Sequence, residues 1–408
     1  MKGRLAQLVE RFLDVKDVRG SSPLPPTKYL KSPLVRNIKK KFSNYSPSVE
    51  VLISKENLLH NLNTYKKSYP KRLLAPVLKS NAYGHGLVEV ARILEKEDLA
   101  FFAIDSLYEA MILRDKGIKS PLLVIGYTSP NNIDNCRLSN ISFTITSLDQ
   151  LRLISELITN EKTIHLKIDT GMHRQGILPS QINEATRIIK SNKLLHLDGI
   201  CSHLADADSI DQTFTRLQIC TWEKAVNDLK NSFSDIKYFH ILATSGASQL
   251  ENITSNVLRL GIGLYGIDLG TEESANLKPV LQMQSIISSI KIIPAGDYVG
   301  YGITYKATHE TKIATIPVGY FEGVNRKLSN RGLIKVRNIL CPIIGRVSMN
   351  ITTVDVSNVP DIILGDKAIV ISNNENDPNS IINIAKMCNV IPYEILAQIP
   401  QHLRRTVI

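Results

Sequence analysis

Val77-Leu78-Lys79-Ser80-Asn81-Ala82-Tyr83-Gly84-His85-Gly86 delivers one lysine from an apolar run to a glycine-rich loop. Leu73, Leu74, Pro76, Val77 and Leu78 read as a short buried strand. The turn at Gly84 to Gly86 leads into a helical pattern of Val88, Val90, Ala91, Ile93 and Leu94. Lys79 is therefore expected at a strand's C-terminal end, which carries the chemistry in a parallel α/β barrel. An amine among apolar neighbours there is less basic and can attack an aldehyde to form a Schiff base. The same spacing also suits a solvent-facing lysine that only ends a strand.

Other segments repeat this geometry. Leu166-Lys167-Ile168-Asp169-Thr170-Gly171-Met172-His173-Arg174-Gln175-Gly176 takes a strand into a glycine turn and aims Arg174 at the same mouth, unless Arg174 pairs with Asp169. His203 ends the apolar run before Leu204-Ala205-Asp206-Ala207-Asp208, as a structural histidine or a proton carrier. Asp206 and Asp208 lack further ligands at suitable spacing, so no metal site is assigned. Ala243-Thr244-Ser245-Gly246-Ala247-Ser248 opens a helix with hydroxyls that cap it or hold a phosphate. Arg259 lies inside Leu258-Arg259-Leu260-Gly261-Ile262-Gly263, where a buried charge requires a partner. The glycines there let a phosphate approach the backbone near Gly261 and Ile262. Further on, Gly300-Tyr301-Gly302, Pro317-Val318-Gly319-Tyr320 and Gly345-Arg346-Val347-Ser348-Met349-Asn350 put tyrosines and small residues in turns. A tyrosine there is an aromatic in a β turn, or a base if a cation such as Arg174 lowers its pKa from about 10.

The elements that must position these residues change character along the chain. From about Val49 to Gly270, runs such as Leu122 to Gly126, Ile164 to Ile168 and His196 to Cys201 alternate with helical stretches at Asp149 to Ile158, Pro179 to Lys190 and Thr213 to Leu229. That rhythm predicts parallel strands over roughly 220 residues, one (β/α)8 TIM-like barrel. After residue 278 short runs follow at close spacing: Gln282 to Ile293, Thr311 to Val318, Leu333 to Val336, Ile343 to Asp355 and Lys367 to Ser372. These predict a mainly antiparallel β domain. The expected division is a basic extension over 1–45, a barrel over 46–278 and the β domain over 279–408.

The net charge of +11 on 408 residues is concentrated at one end. Residues 1–49 hold 11 Lys/Arg against 3 Asp/Glu, which leaves +3 for the rest, so a basic face for nucleic acid is not expected. The first 45 residues, with Pro23, Pro25 and Pro26, lack the apolar core of a secretory signal, and Glu10, Asp14 and Asp17 oppose an organelle transit role. They resemble a spurious frame through the complement of a transfer-RNA gene, pointing to a start codon assigned too early. Cys136, Cys201, Cys220, Cys341 and Cys388 form no CxxC pair and fit reduced thiols in the cytoplasm. No apolar run reaches the roughly 18 residues of a membrane span.

Together these motifs resemble the alanine racemase family over about Glu50 to Ile408. The resemblance implies a pyridoxal 5'-phosphate enzyme that interconverts L- and D-alanine and supplies D-alanine for peptidoglycan, acting as a cytoplasmic homodimer with shared active sites. It implies that Lys79 carries the cofactor and works on one face of the α-carbon, and that Tyr301 of the other subunit works on the opposite face. Arg259 contacts the pyridine nitrogen with His203 behind it, and Tyr83, Ser245, Gly261 and Ile262 hold the phosphate. Arg174 and the Met349 amide hold the substrate carboxylate, Tyr320 narrows the entrance, and Lys167 matches a lysine carbamylated in some members. Three departures stand out. Ser348 and Asn350 replace a common cysteine and aspartate, removing a negative charge at the pocket edge. Gln401 lies where a tyrosine often contacts the phosphate. A racemase of broader range, a non-catalytic barrel that carries the cofactor, and a decarboxylase of the same two-domain architecture are the competing readings.

Overall fold

The computed structural model describes residues 45–246, 253–267 and 276–408. The chain divides into two compact units, Met1–Ser46 and Pro47–Ile408, and the architecture below is that of the second. The basic extension expected over 1–45 lies, but for its last residue, outside the described residues.

Eight parallel strands form a closed ring: β2 (Leu73–Pro76), β3 (Phe102–Ile104), β4 (Leu122–Val124), β5 (Ile141–Ile145), β6 (Lys162–Lys167), β7 (Leu195–Cys201), β8 (Tyr238–His240) and β9 (Val257–Leu260). Strands β3 to β8 pair in order and β9 pairs with β2. Single bridges from Val77 to Ala103 and from Ala243 to Arg259 close the two remaining seams. Every residue of β3, β4 and β9 is buried, as expected for parallel strands covered on both faces.

The covering helices follow from spacing and capping. Over Leu148–Leu157 the residues Leu148, Leu151 and Ile154 recur at helical spacing and are buried, and Ser147 accepts from the Gln150 amide as N-cap. Each such side chain contributes about 1.5–3 kcal/mol through burial, so Leu151→Ala would cost about 2–5 kcal/mol with its cavity. The helix expected over Pro179 to Lys190 begins as a 3-10 turn at Pro179–Gln181 and continues over Ile182–Ser191.

The C-terminal part is mostly antiparallel. Its strands are β1 (Glu50–Ile53), β10 (Leu281–Ile286), β11 (Ser289–Ile293), β14 (Thr311–Ile316), β15 (Leu333–Val336), β16 (Ile339–Pro342), β17 (Thr352–Asp355), β18 (Lys367–Ile371) and β19 (Arg404–Val407). A six-stranded sheet runs β16-β15-β18-β10-β1-β19 and a three-stranded one β11-β14-β17. β12 (Tyr298–Val299) and β13 (Tyr305–Lys306) form a separate two-stranded ribbon. Strand β10 alternates buried and half-buried residues, the period of a sheet with one face on the core.

Three local expectations change. The first strand, β1, does not enter the barrel: it pairs with β10 and, in parallel, with β19. The apolar run from Gln282 to Ile293 breaks at Ile287 and Ser288, where the chain passes from the six-stranded sheet to the three-stranded one. Of the run Ile343 to Asp355 only Thr352–Asp355 is a strand, because Gly345 at φ 72° turns the chain before it.

Candidate active site

Lys79 leaves β2 at the expected end of the barrel, but no ordinary turn follows. Ser80, Asn81, Ala82 and Tyr83 hold φ of 56°, 56°, 52° and 51°, one turn of left-handed helix in non-glycine residues. Such a conformation costs roughly 1–2 kcal/mol per residue and persists only where its surroundings over-determine it. Here they do. Glu109 Oε1 accepts from the Asn81 amide at 3.4 Å, Asn81 Oδ1 accepts from the Leu87 amide at 2.9 Å, and Arg405 donates through Nε and Nη2 to the Gly84 carbonyl. Gly84 has no room for a side chain, since a Cβ there would lie 2.2 Å from the Leu396 carbonyl oxygen. His85 donates from Nδ1 to the Tyr83 carbonyl at 2.9 Å, and burial pushes its imidazole down to about 4.

The cavity beyond this turn measures about 630 Å³ and its lining is strongly cationic. Lys79, Lys167, Arg174 and Arg259 face it, with Asp105 the single carboxylate among the described lining residues. Such a site favours a ligand with more than one negative charge. At one end Tyr83, Thr244, Ser245 and Gly261 come together. A Cβ at Gly261 would lie 3.1 Å from the Tyr83 hydroxyl, so the glycine keeps a small cradle open. The Gly261 amide donates to Thr244 Oγ1 at 3.1 Å. Ile262 is fully buried and opens the following 3-10 turn, so it can offer its amide but not its side chain. Ala247 and Ser248, of the expected phosphate segment, lie outside the described residues.

Arg259 fills the floor of the cavity with no carboxylate partner among the described residues. Nη1 donates to the His240 carbonyl at 2.6 Å and to His240 Nδ1 at 2.7 Å. Nη2 faces the carbonyls of Ser202 and Ile241 at 2.8 and 3.1 Å and His203 Nδ1 at 3.2 Å. The guanidinium has five N–H donors, and its Nε–H finds no acceptor among the described residues. Thr144 Oγ1, buried and lining the same cavity, is also without a partner. The Arg259 Nε–H can donate to a neutral acceptor, and the hydroxyls gathered at Gly261 can hold an anionic group. His203 is held to about 3 by burial and then by Arg259, so it serves as a neutral acceptor. Burial, followed by Arg259, Arg174 and Lys79, lowers the Lys167 amine despite the nearby Cys201 thiol. Its Nζ donates to Gln175 Oε1 at 3.1 Å.

Arg174 does not pair with Asp169. Burial disfavours that carboxylate, but the amides of Gly171 and His173 and the His173 ring outweigh it and hold Asp169 below the usual range. Tyr301, Tyr320 and Met349 lie outside this chain's cavity and are 72%, 44% and 54% exposed. Tyr301 sits in a turn with Gly300 at φ 76° and Gly302 at φ 69°. Tyr320 and Phe321 donate their amides to the Ser348 and Met349 carbonyls at 3.0 and 2.9 Å, tying two of the sequence-identified turns together. Asn350 does not leave that edge without a carboxylate. Its Nδ2 donates to Glu322 Oε1 at 2.6 Å, while Glu322 Oε2 accepts from the Gly319 amide at 2.8 Å.

Tyr393 and His240 line the cavity without being among the candidate site residues of the sequence. Tyr393, in the short helix Pro392–Ala397, lines the cavity with its ring 5.8 Å from that of Tyr83, and burial pushes its hydroxyl up to about 12. Gln401 is exposed, so Tyr393, eight positions earlier, is the C-terminal tyrosine that reaches this end of the cavity. His240 lies just before the Ala243 to Ser248 run, but its bond to Arg259 depends on the closure of the barrel.

Comparison with known proteins bears on the fold and the family. The family described as "Alanine racemase, N-terminal domain" matches residues 53–268, and "Alanine racemase, C-terminal domain" matches residues 280–407. An alanine racemase of Carboxydothermus hydrogenoformans is 33% identical over 359 residues, covering 86% of this chain and 97% of that protein. A solved alanine racemase of Clostridium difficile 630 superposes with a TM-score of 0.83 at 28% identity, covering 90% of this chain and 97% of that one. A crystal structure of the Bacillus anthracis alanine racemase with bound L-Ala-P gives 0.82 at 27% identity, covering 89% and 96%. With both domains matched in order and the shared fold, this chain belongs to the alanine racemase family of amino-acid isomerases.

Proposed function

We propose that the chain interconverts L- and D-alanine with pyridoxal 5'-phosphate by a two-base mechanism, as a cytoplasmic homodimer that supplies D-alanine for peptidoglycan. The observation that carries this reading is the four-cation cavity at Lys79, with an Arg259 Nε–H that has no acceptor among the described residues and the Tyr83, Thr244 and Ser245 hydroxyls gathered at Gly261. When bound, pyridoxal phosphate withdraws electrons and makes the substrate α-hydrogen acidic.

Lys79 would hold the cofactor by its amine and, once the substrate amine displaces it, its freed amine would move the α-proton on one face, taking it from the D-isomer. The partner subunit's Tyr301 acts on the other face, taking the proton from the L-isomer. Two groups are needed because a single one that returns its own proton restores the starting enantiomer. Arg259 offers Nε–H to the ring nitrogen and keeps its proton, so the ring stays a weak electron sink and side reactions are limited. Tyr83, Ser245, Gly261 and the Ile262 amide hold the phosphate. Arg174 and the Met349 amide hold the carboxylate, and Tyr320 narrows the entrance. The lowered basicity of Lys167 suits carbamylation, which would place an anion within the field of Arg259 and Arg174.

Support for a second copy comes from the exposed apolar group Tyr301, Ile303, Tyr320, Phe321, Met349 and Ile351. It contains the residues that the reading needs and that this chain's own cavity lacks. The test is D-alanine formation from L-alanine with added pyridoxal phosphate, using wild type, Lys79→Ala, Tyr301→Phe and a 1:1 mixture of the two variants. Each variant alone is expected to be inactive. The mixture is expected to regain about a quarter of wild-type activity, because half the dimers are mixed and each has one intact shared site. A wild type that binds the cofactor but racemises neither alanine nor other amino acids overturns the reading, and a mixture that stays inactive overturns the shared site.

A further inference from the structure

Arg259 is a fixed cation that can only donate, and this sets the protons on everything it touches. Its Nη1 lies 2.7 Å from His240 Nδ1, so that nitrogen bears a lone pair and the His240 proton sits on Nε2. His240 Nε2 lies 2.8 Å from His165 Nδ1, which must accept, so the His165 proton sits on its own Nε2. The result is a chain of donors in one direction, Arg259 to His240 to His165, through the barrel interior from β9 to β8 to β6. Both histidines are 1% exposed. Burial, with Arg259 as the next cause, holds His165 down to about 3 and His240 well below its ordinary value, so both are neutral.

The barrel is shaped around the last member of this chain. A Cβ at Gly199 of β7 would lie 2.4 Å from His165 Nδ1, so only glycine leaves the ring its place. The pairing of β6 with β7 shifts register at the same point, between Ile164 and His165. Phe101 meets the His165 ring edge-on at 5.6 Å and 90°, and Tyr238 stacks on it at 5.6 Å and 21°. Barrel interiors are ordinarily filled by branched aliphatic residues, so a seated polar ring with one defined acceptor is a built feature.

We infer that His165 is a positioning residue for Arg259: by accepting from His240 Nε2 it fixes the tautomer that lets His240 accept from the guanidinium, and so aims Nε–H into the cavity. Without that acceptor the His240 Nε2–H is buried and unpaired. The other tautomer would set Nδ1–H against the Nη1–H of Arg259, donor against donor, and turn the guanidinium. The geometry stands independently of the proposed function; the consequence for cofactor binding rests on it.

The experiment compares wild type with His165→Leu, His165→Asn and His165→Gln. Histidine nitrogens are read by long-range proton–nitrogen NMR on the folded chain, and pyridoxal phosphate affinity and absorbance are read alongside. Wild type is expected to show His240 protonated at Nε2. Asparagine places an oxygen near the position of Nδ1 and keeps that signal. Glutamine reaches the Nε2 position instead and loses it, as leucine does. Cofactor affinity should fall on the order of tenfold in the leucine and glutamine variants and recover in the asparagine variant, the size seen when outer partners of a bound group are removed. Should the leucine variant fail to fold, the contrast of asparagine with glutamine carries the test. Protonation of His240 at Nδ1 in wild type, or an unchanged His240 in the leucine and glutamine variants, overturns the inference. So does a changed tautomer with wild-type cofactor affinity and absorbance. A wild type that takes up no pyridoxal phosphate while showing the expected tautomers overturns the proposed function and leaves the proton chain standing.

Discussion

Lys79 and Tyr301 are introduced by turns of the same kind and treated in opposite ways. Both turns hold left-handed backbone, at Ser80 to Tyr83 and at Gly300, Gly302 and Ile303. The first buries Ala82 and Tyr83 and is clamped by its own chain, through Glu109, Arg405 and the Leu396 carbonyl. The second is exposed, and glycine relieves two of its three positive φ angles. A single chain thus finishes the pocket around Lys79 and leaves Tyr301 at 72% exposure amid apolar neighbours. The difference teaches which half of the site this chain must hold rigid by itself and which half a second copy would complete.

The largest effect that tests this contrast is catalytic. Lys79→Ala and Tyr301→Phe should each lower kcat by about 10²–10⁴, the range for loss of a general acid or base. Their stabilities should differ little from wild type in a denaturant titration, since neither side chain packs the core. A Tyr301→Phe enzyme with unchanged kcat in both directions would remove Tyr301 from the chemistry.

Stability should separate the two turns next. Gly84→Ala meets a backbone oxygen at 2.2 Å and a φ of 77°, so it should cost about 3 kcal/mol or more. Gly302→Ala has a φ of 69° but meets only the movable guanidinium of Arg346 at 3.2 Å, and should cost about 1–2 kcal/mol. Urea melts of the two variants decide the point, and equal losses would mean that the Lys79 turn is not specially constrained.

Much of the barrel-side site was legible from local pattern. An apolar run that ends in a charged residue before a glycine turn placed Lys79 and Arg174 at one mouth; His203, Ser245, Arg259 and Gly261 were candidates in separate segments, and the closed ring brings all six to one cavity. What stayed hidden depends on contacts distant in sequence. Nothing in Ser80-Asn81-Ala82-Tyr83 demands a left-handed turn; its clamp at Arg405 is 321 positions away. Tyr393 reaches the cavity because the short helix Pro392–Ala397 packs against the Lys79 turn, a contact between distant parts of the chain. The strand character of β1 was readable but its sheet was not, because pairing partners are chosen by the whole fold.

The two regions should also respond differently to acid. His85, His165, His203 and His240 are neutral in the native barrel, with the first three lowered to about 4, 3 and 3 chiefly by burial. Their unfolded value is about 6.5, so between there and about 3 the unfolded chain binds protons that the native chain does not. Stability present above pH 6.5 is therefore lost as pH falls through this window, by up to about 1.4 kcal/mol per pH unit for each such histidine. Urea midpoints at pH 7.5, 6 and 5 should fall progressively, and His85→Gln should flatten the slope. A midpoint that does not change with pH would mean that these rings are solvated.

The smallest expected effect lies beside Tyr320, on the exposed side of the comparison. Asn350 donates to buried Glu322, and Glu322 in turn accepts from the Gly319 amide, so one carboxylate and one amide hold the turn that presents Tyr320. Asn350→Asp replaces the donor by a second acceptor and sets two carboxylates within hydrogen-bond reach. The cost should be about 1–2 kcal/mol at pH 7.5, the size of a broken hydrogen bond with a like charge beside it, and smaller at pH 5, where one carboxyl takes up a proton. Because Tyr320 is read as the residue that narrows the entrance, KM should rise a few-fold while kcat changes less. Asn350→Ala, which removes the donor without adding a charge, should lose stability equally at both pH values. An aspartate variant as stable as wild type at pH 7.5 would show that Glu322 does not depend on its amide partner.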